Sequence, residues 1–220
     1  MFQLFARIAA AAITSAALAM SVASAAPQRP LKIVAFGDSL TTGFGLPAAD
    51  AFPAQLTRAL IAKGYKVEIA DAGVSGETAA DGLARLDWSV PEDTDAVILE
   101  LGANDMLRGF DPKLTRTVLH QILTRLVARH VPVLLCGMRA TPDFGENYAR
   151  AFDPIFPELA AAFANQNVVF YPFFLDGVVA NPKLNQADGL HPTTAGVAVI
   201  VERILPKVEE LIARAASRPG

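Results

Sequence analysis

Cysteine is almost absent from this 220-residue chain: Cys136 is the only one, so no disulfide can form within it. Stability must come from an apolar core instead, and 220 residues are enough to bury one in a single domain. Cys136 ends the apolar run 131–136, which predicts a buried, inert thiol. Histidine is nearly as scarce, with only His120, His130 and His191. So few histidines and one cysteine exclude a spaced Cys/His metal cluster, and no metal or cofactor is expected. His120 and His130 fall on or at the end of a long helical segment and read as surface or capping groups.

Charge of one sign is also lacking. The formal net charge is -3 and no basic run occurs, which argues against nucleic acid as a partner. With 52% hydrophobic and 19% charged residues, the chain has too much apolar surface to stay disordered. No Gly-x-x-x-x-Gly-Lys occurs and the glycines lack dinucleotide spacing, so a phosphate- or nucleotide-binding protein is a poor reading.

What the N-terminal stretch does have is the pattern of a signal peptide over residues 1–25. Arg7 supplies the positive start, residues 8–20 an alanine-rich apolar stretch, and Ala23-Ser24-Ala25 a small-x-small site cut after Ala25. An uncleaved membrane anchor is the alternative; the dominance of small residues and the cleavage site favour removal. The expected product is a domain over 26–220, periplasmic or secreted, with no stable membrane anchor. Its net charge would be -4, because Arg7 is the only charge lost from the -3 of the whole chain.

From residue 31 onward, apolar runs at 31–36, 66–70, 96–101, 131–137 and 168–171 predict strands. They alternate with helical patterns at 51–62, 78–86, 112–130, 148–165 and 193–216. Pro112 suits a first helical turn. Pro154 and Pro157 should break or kink the start of the fourth helix, and Pro206 should kink the last. The residues 217–220 read as a frayed tail. Strands apolar on both faces and separated by helices predict a single-domain three-layer α/β/α sandwich around a central, mostly parallel sheet. Ligands in such folds sit beyond the carboxyl ends of the strands. The polar, glycine-rich segments fall there.

Ser39 follows Gly37-Asp38 at the first strand end. A free serine is a weak nucleophile and needs a base, itself oriented by a third group. His191 is the one histidine in a loop with a nearby acid, and Asp188 stands three residues before it. Acyl transfer also needs donors where charge develops on the carbonyl oxygen. The Ser39 N–H, the Gly76 N–H and the Asn104 amide are candidates for that oxyanion hole. Each short segment alone is ordinary turn or cap chemistry. All of them in order, at strand ends, point to a serine hydrolase with Ser39, Asp188 and His191 as its triad.

Phe36-Gly37-Asp38-Ser39-Leu40, Ala72-Gly73-Val74-Ser75-Gly76-Glu77-Thr78, Gly102-Ala103-Asn104-Asp105 and Asp188-Gly189-Leu190-His191-Pro192 resemble, in order, the four blocks of the GDSL (SGNH) hydrolases. The resemblance covers about 31–212 and implies the same five catalytic positions, the same fold and no cofactor. The stretches Gly82-Leu83-Ala84-Arg85-Leu86, Asn104 to Phe110 and Tyr171-Pro172-Phe173-Phe174 are similar to the branch of acyl-CoA thioesterase I, lysophospholipase L1 and arylesterase. Asp71 departs from the family, which often has asparagine there. The implied activity is hydrolysis of acyl esters and thioesters. A carbohydrate acetylesterase and a non-catalytic exported lipid- or glycan-binding protein are the rivals.

Phe44, Leu46, Met106, Leu107, Phe110, Phe144 and Phe173 are apolar residues in or beside these loops. They could pack under the loops or line an acyl groove, with Met106, Leu107 and Phe110 the groove candidates and Phe173 a packing one. Arg108 could contact an anionic head group or pair on the surface. The loop 139–147 could form one wall of the cleft. A monomer or weak dimer is expected.

Overall fold

The computed structural model describes residues 29–217. The expected leader over 1–25 and the last three residues of the expected tail lie outside the described residues. Five strands form the sheet: β1 (Leu31–Gly37), β2 (Val67–Gly73), β3 (Ala96–Glu100), β4 (Val133–Cys136) and β5 (Val168–Tyr171). The helices are α1 (Ser39–Thr42), α2 (Phe52–Ala62), α3 (Ala79–Ser89), α4 (Ala103–Leu107), α5 (Pro112–Ala128), α6 (Gly145–Phe152), α7 (Ile155–Ala162) and α8 (Thr194–Ala216).

The strand order is β2-β1-β3-β4-β5 and every pairing is parallel. Parallel strands need crossovers, and helices supply them on both faces. Helix α2 packs on α8, while α3 packs on α5 and α5 on α7. Strands β3 and β4 are buried at every position, as their apolar runs require, and the Glu100 that closes β3 is buried with them. Strand β2, at the sheet edge, is only partly covered and runs three residues further than its apolar pattern, pairing with β1 as far as Gly73. Cys136 is fully buried, and burial pushes its thiol well up.

Local chemistry sets the helix ends. Thr78 and Asp81 form a reciprocal capping box at the start of α3, with Thr78 accepting from the Asp81 N–H. Asp111 caps α5 by accepting from the Lys113 N–H at 3.0 Å, and Pro112 fills the first turn. Helical pattern 148–165 is split: α6 ends at Phe152 and α7 begins after Pro154, whose ring denies the helix a donor. Pro206, by contrast, lies inside the continuous helix α8.

The chain turns back beside itself between β1, which leads to β2 on one side, and β3 on the other. A crevice opens outside the carboxyl ends at such a switch point. Ser39 follows β1 there and Asn104 follows β3. Among the described residues, no helix is long and apolar enough to cross a membrane.

Candidate active site

Ser39 is the first residue of α1, directly after Asp38, whose carboxylate accepts from the Leu40 N–H at 3.0 Å and caps the short helix. Gly37 is required by crowding. A Cβ there would meet Thr41 Oγ1 at 2.1 Å and the Glu100 backbone oxygen at 2.6 Å. The β1 end is buttressed by Arg85 of α3, which donates to the Gly37 carbonyl at 2.9 Å. Its guanidinium lies 4.3 Å from the Phe36 ring centroid and pairs with Glu77.

Ser39 Oγ lies 2.9 Å from His191 Nε2, across 152 residues of chain. On the far side of the ring, His191 Nδ1 lies 2.7 Å from Asp188 Oδ2. Asp188 Oδ1 accepts from the Leu190 N–H at 2.9 Å and the His191 N–H at 3.0 Å. The His191 backbone N–H is the largest cause holding the Asp188 carboxyl at about 2, with the imidazole adding to it. An anion at Asp188 fixes the proton of the imidazole on Nδ1 and leaves Nε2 as acceptor for the serine hydroxyl.

The triad loop is tied to the serine loop by Gln186. Its backbone N–H donates to the His191 carbonyl at 2.7 Å. Its side-chain amide donates to the Phe44 carbonyl at 2.7 Å and to that of Pro192 at 3.0 Å. The Phe44 ring packs on the imidazole, with centroids 4.7 Å apart.

Gly76 adopts φ +84°, which a side chain would resist, and its carbonyl accepts from Arg108 Nη2 at 2.6 Å. Among the described residues, no acceptor engages the N–H of Ser39 or of Gly76. The Asn104 amide is engaged twice, donating to Asp38 Oδ2 and to the Glu77 carbonyl, both at 3.0 Å. Asp105 is buried, which raises its carboxyl; it accepts from the Ala79 N–H at 2.8 Å and from Thr115 Oγ1 at 3.1 Å. That carboxyl joins the starts of α3 and α5 beneath Asn104. Asp71 accepts from the Gly73 N–H at 2.9 Å and Thr42 Oγ1 at 3.1 Å, so the end of β2 is held by a carboxylate.

The structure thus brings Ser39, Gly76, Asn104, Asp188 and His191 to one rim. The groove candidates divide. Leu107 and Phe110 are 39% and 41% exposed, but Met106 is 5% exposed and belongs to the core. Met106 is therefore corrected to a packing residue: it sits on helix α4, not in a loop, and α4 turns it inward. Arg108, though exposed, folds back onto the Gly76 carbonyl. Phe173 lies under Arg139, 5.0 Å from its guanidinium, as a packing residue would. His120 lies exposed against Phe163, and His130 adopts φ 56° in the turn after α5. Gln186, Asp38 and Glu100 were not read from the sequence as parts of the site. The signal for Glu100 was there: a carboxylate inside an otherwise apolar strand.

A sequence model of the GDSL-like Lipase/Acylhydrolase family matches residues 35–199. An arylesterase of Vibrio mimicus is 38% identical over 170 residues, covering 77% of this chain and 84% of that protein. The "Thioesterase 1/protease 1/lysophospholipase L1" of Escherichia coli is 34% identical over 181 residues, covering 82% and 84% of the two chains. A crystal structure of TesA superposes with a TM-score of 0.76 at 33% identity, covering 82% of this chain and 99% of that one.

Proposed function

This chain belongs to the GDSL-like lipase/acylhydrolase family and is an ester hydrolase, and we propose that it cleaves acyl esters and thioesters through an acyl-enzyme on Ser39. The observation that carries the reading is the aligned series Ser39 Oγ, His191 and Asp188, with contacts of 2.9 and 2.7 Å.

In the first half-reaction, His191 Nε2 takes the serine proton as Ser39 Oγ attacks the acyl carbon. Asp188 holds the ring and stabilises the imidazolium without taking the proton itself. The Ser39 and Gly76 N–H groups are the free donors for the oxyanion, and the Asn104 amide is the third. Asn104 can share a hydrogen with the oxyanion at the cost of its bond to the neutral Glu77 carbonyl, the weaker of its two. Collapse expels the alcohol, which receives the proton from His191, or the thiol. Water, deprotonated by the same nitrogen, then releases the acid and regenerates Ser39.

Leu107 and Phe110 offer apolar surface beside Asn104 for the acyl chain. The chemistry calls for no metal or cofactor. With residues 1–25 removed as a leader, the enzyme would work in the periplasm or outside the cell, as a monomer or weak dimer.

Hydrolysis of p-nitrophenyl acetate, butyrate and octanoate by residues 26–220, beside folded Ser39→Ala, tests the reading. Wild-type turnover that falls by at least about 1,000-fold in the variant is expected. Equal turnover in both proteins would exclude Ser39 as the nucleophile.

A further inference from the structure

Glu100 is the last residue of β3, and solvent does not reach it. Its Oε2 accepts from Thr41 Oγ1 at 2.7 Å and from the Asp38 N–H at 3.3 Å. Its Oε1 meets no N–H or O–H donor. Among the described residues no lysine or arginine side chain bonds to Glu100 or to Asp38, which is equally buried. Arg85, which lies beside Gly37, uses its donors on the Gly37 carbonyl, Glu77 and Ser89. The other ionisable groups facing the pair are Cys136 of β4, kept as a thiol by burial, and His191 on the side of Asp38. Two buried carboxylates without a cation would leave both charges uncompensated, and such groups neutralise by taking up protons.

The Asp38 N–H donates to Glu100, and the two carboxyl groups lie near enough to act on each other's protonation. Carboxylates only accept, so a bond between two carboxyl groups needs a proton on one of them. The donors decide which. Asp38 accepts from the Leu40 N–H and the Asn104 amide, both at 3.0 Å, whereas Glu100 has one hydroxyl and one longer amide contact. The charge is better compensated on Asp38, and Glu100 Oε1 is free to be protonated. Burial, and then the adjacent Asp38 charge, push the Glu100 carboxyl well above the usual carboxylate range.

We infer that Glu100 carries a proton at neutral pH and donates it to Asp38, keeping Asp38 an anion that fixes the plane of the Asn104 amide. A bond to an anion is roughly twice as strong as one to a neutral acceptor. Asp38 therefore holds one Asn104 hydrogen, and the other is the one available to the reacting carbonyl oxygen. Glu100 and Asp38 are positioning residues; neither need touch the substrate. The role assigned to Asn104 rests on the proposed function, whereas the protonation of Glu100 does not.

Two experiments test the inference. The first compares the Tm of Glu100→Gln and the wild type at pH 5 and pH 8. The unfolded wild type ionises Glu100 above a pKa of about 4.3, so folding must return a proton to it at a cost that grows with pH. Glutamine has no such cost. The Tm of the variant relative to wild type should therefore rise from pH 5 to pH 8, by about 2–4 °C or more. A difference that is flat or shrinks would mean an ionised Glu100 and overturn the inference, whatever the enzyme hydrolyses.

The second is a kinetic cycle. Glu100→Leu should lower kcat about 10- to 100-fold with little change in KM, and Glu100→Gln should recover most of the loss. In an Asn104→Ala background the same Glu100→Leu change should have almost no effect. A full loss in that background would overturn the link to Asn104. Should Glu100→Leu not fold, Asp38→Asn, which is isosteric, replaces it in the cycle with the same two outcomes. Absence of any Ser39-dependent turnover in wild type would refute the esterase mechanism itself and leave the Tm result standing.

Discussion

Gln186 donates its side-chain amide to the carbonyl of Phe44, 2.7 Å away and 142 residues earlier in the chain. The same nitrogen reaches the Pro192 carbonyl, so one side chain joins the loop after Ser39 to the loop that ends in His191. Misplacement of a reacting group by about 1 Å can lower turnover by about 100-fold. Gln186→Leu and Gln186→Glu should both lower kcat on p-nitrophenyl butyrate by about 10- to 100-fold, with KM changed far less. Glutamate fails alongside leucine because a carboxylate accepts and cannot donate to two carbonyls. Steady-state kinetics of the two variants provide the check; full activity in Gln186→Glu would show that the bridging donor does not matter.

Arg108 is bound to the Gly76 carbonyl at 2.6 Å, which makes it a brace for the loop that presents the Gly76 N–H. Arg108→Ala should lower kcat for neutral and anionic esters alike, by about 5- to 30-fold, because a hydrogen bond from a charged group contributes about 1.5–3 kcal/mol only in part at an exposed site. A head-group contact would behave differently, raising KM for anionic substrates alone. Parallel kinetics on a p-nitrophenyl ester and an acyl-CoA separate the two.

Asp188 is held at about 2, chiefly by the His191 backbone N–H. Its folded value lies below the unfolded value of about 3.9, so folding favours the anion above about pH 4. That contribution is lost as pH falls through about 2. The acid limb of kcat/KM should therefore contain no break from Asp188 above about pH 3. Asp188→Asn should lower kcat by on the order of 1,000- to 10,000-fold, through loss of the imidazole tautomer. Its effect on stability should be small, since the carboxylate is partly solvated, and should disappear near pH 2. A pH–rate profile and acid titration of both proteins measure these effects.

The parts of the fold legible in the sequence were those set by local pattern. The runs 96–101 and 168–171 are apolar but for Glu100 because both sheet faces are covered, and they match β3 and β5 nearly to the residue. The long helices show their period and their caps. Strand β2 was read three residues short because its outer positions at the sheet edge need not be apolar. Helix α4 does not show in the sequence: five residues are too few for a helical period, so the pattern could not choose between packing and a groove for Met106.

The candidate site divides in the same way. Ser39, Gly76, Asn104, Asp188 and His191 sit in short polar segments whose residue types suit the proposed chemistry, so the sequence singles them out. Gln186 and Glu100 act on partners 142 and 59 residues away, and nothing in their immediate neighbours announces it. Only the anomaly of a charged residue closing a buried strand could have pointed to Glu100.

Asp188 and His191 lie three residues apart, and the same carboxylate that faces the imidazole also caps the two backbone N–H groups of the turn. The proposed acid and base are therefore a prefabricated unit, carried as one piece on surface chain. Thermal loosening that shifts this piece leaves its internal geometry intact and changes a single quantity, the gap to Ser39. Activity would then depend on that one gap rather than on three separately placed groups.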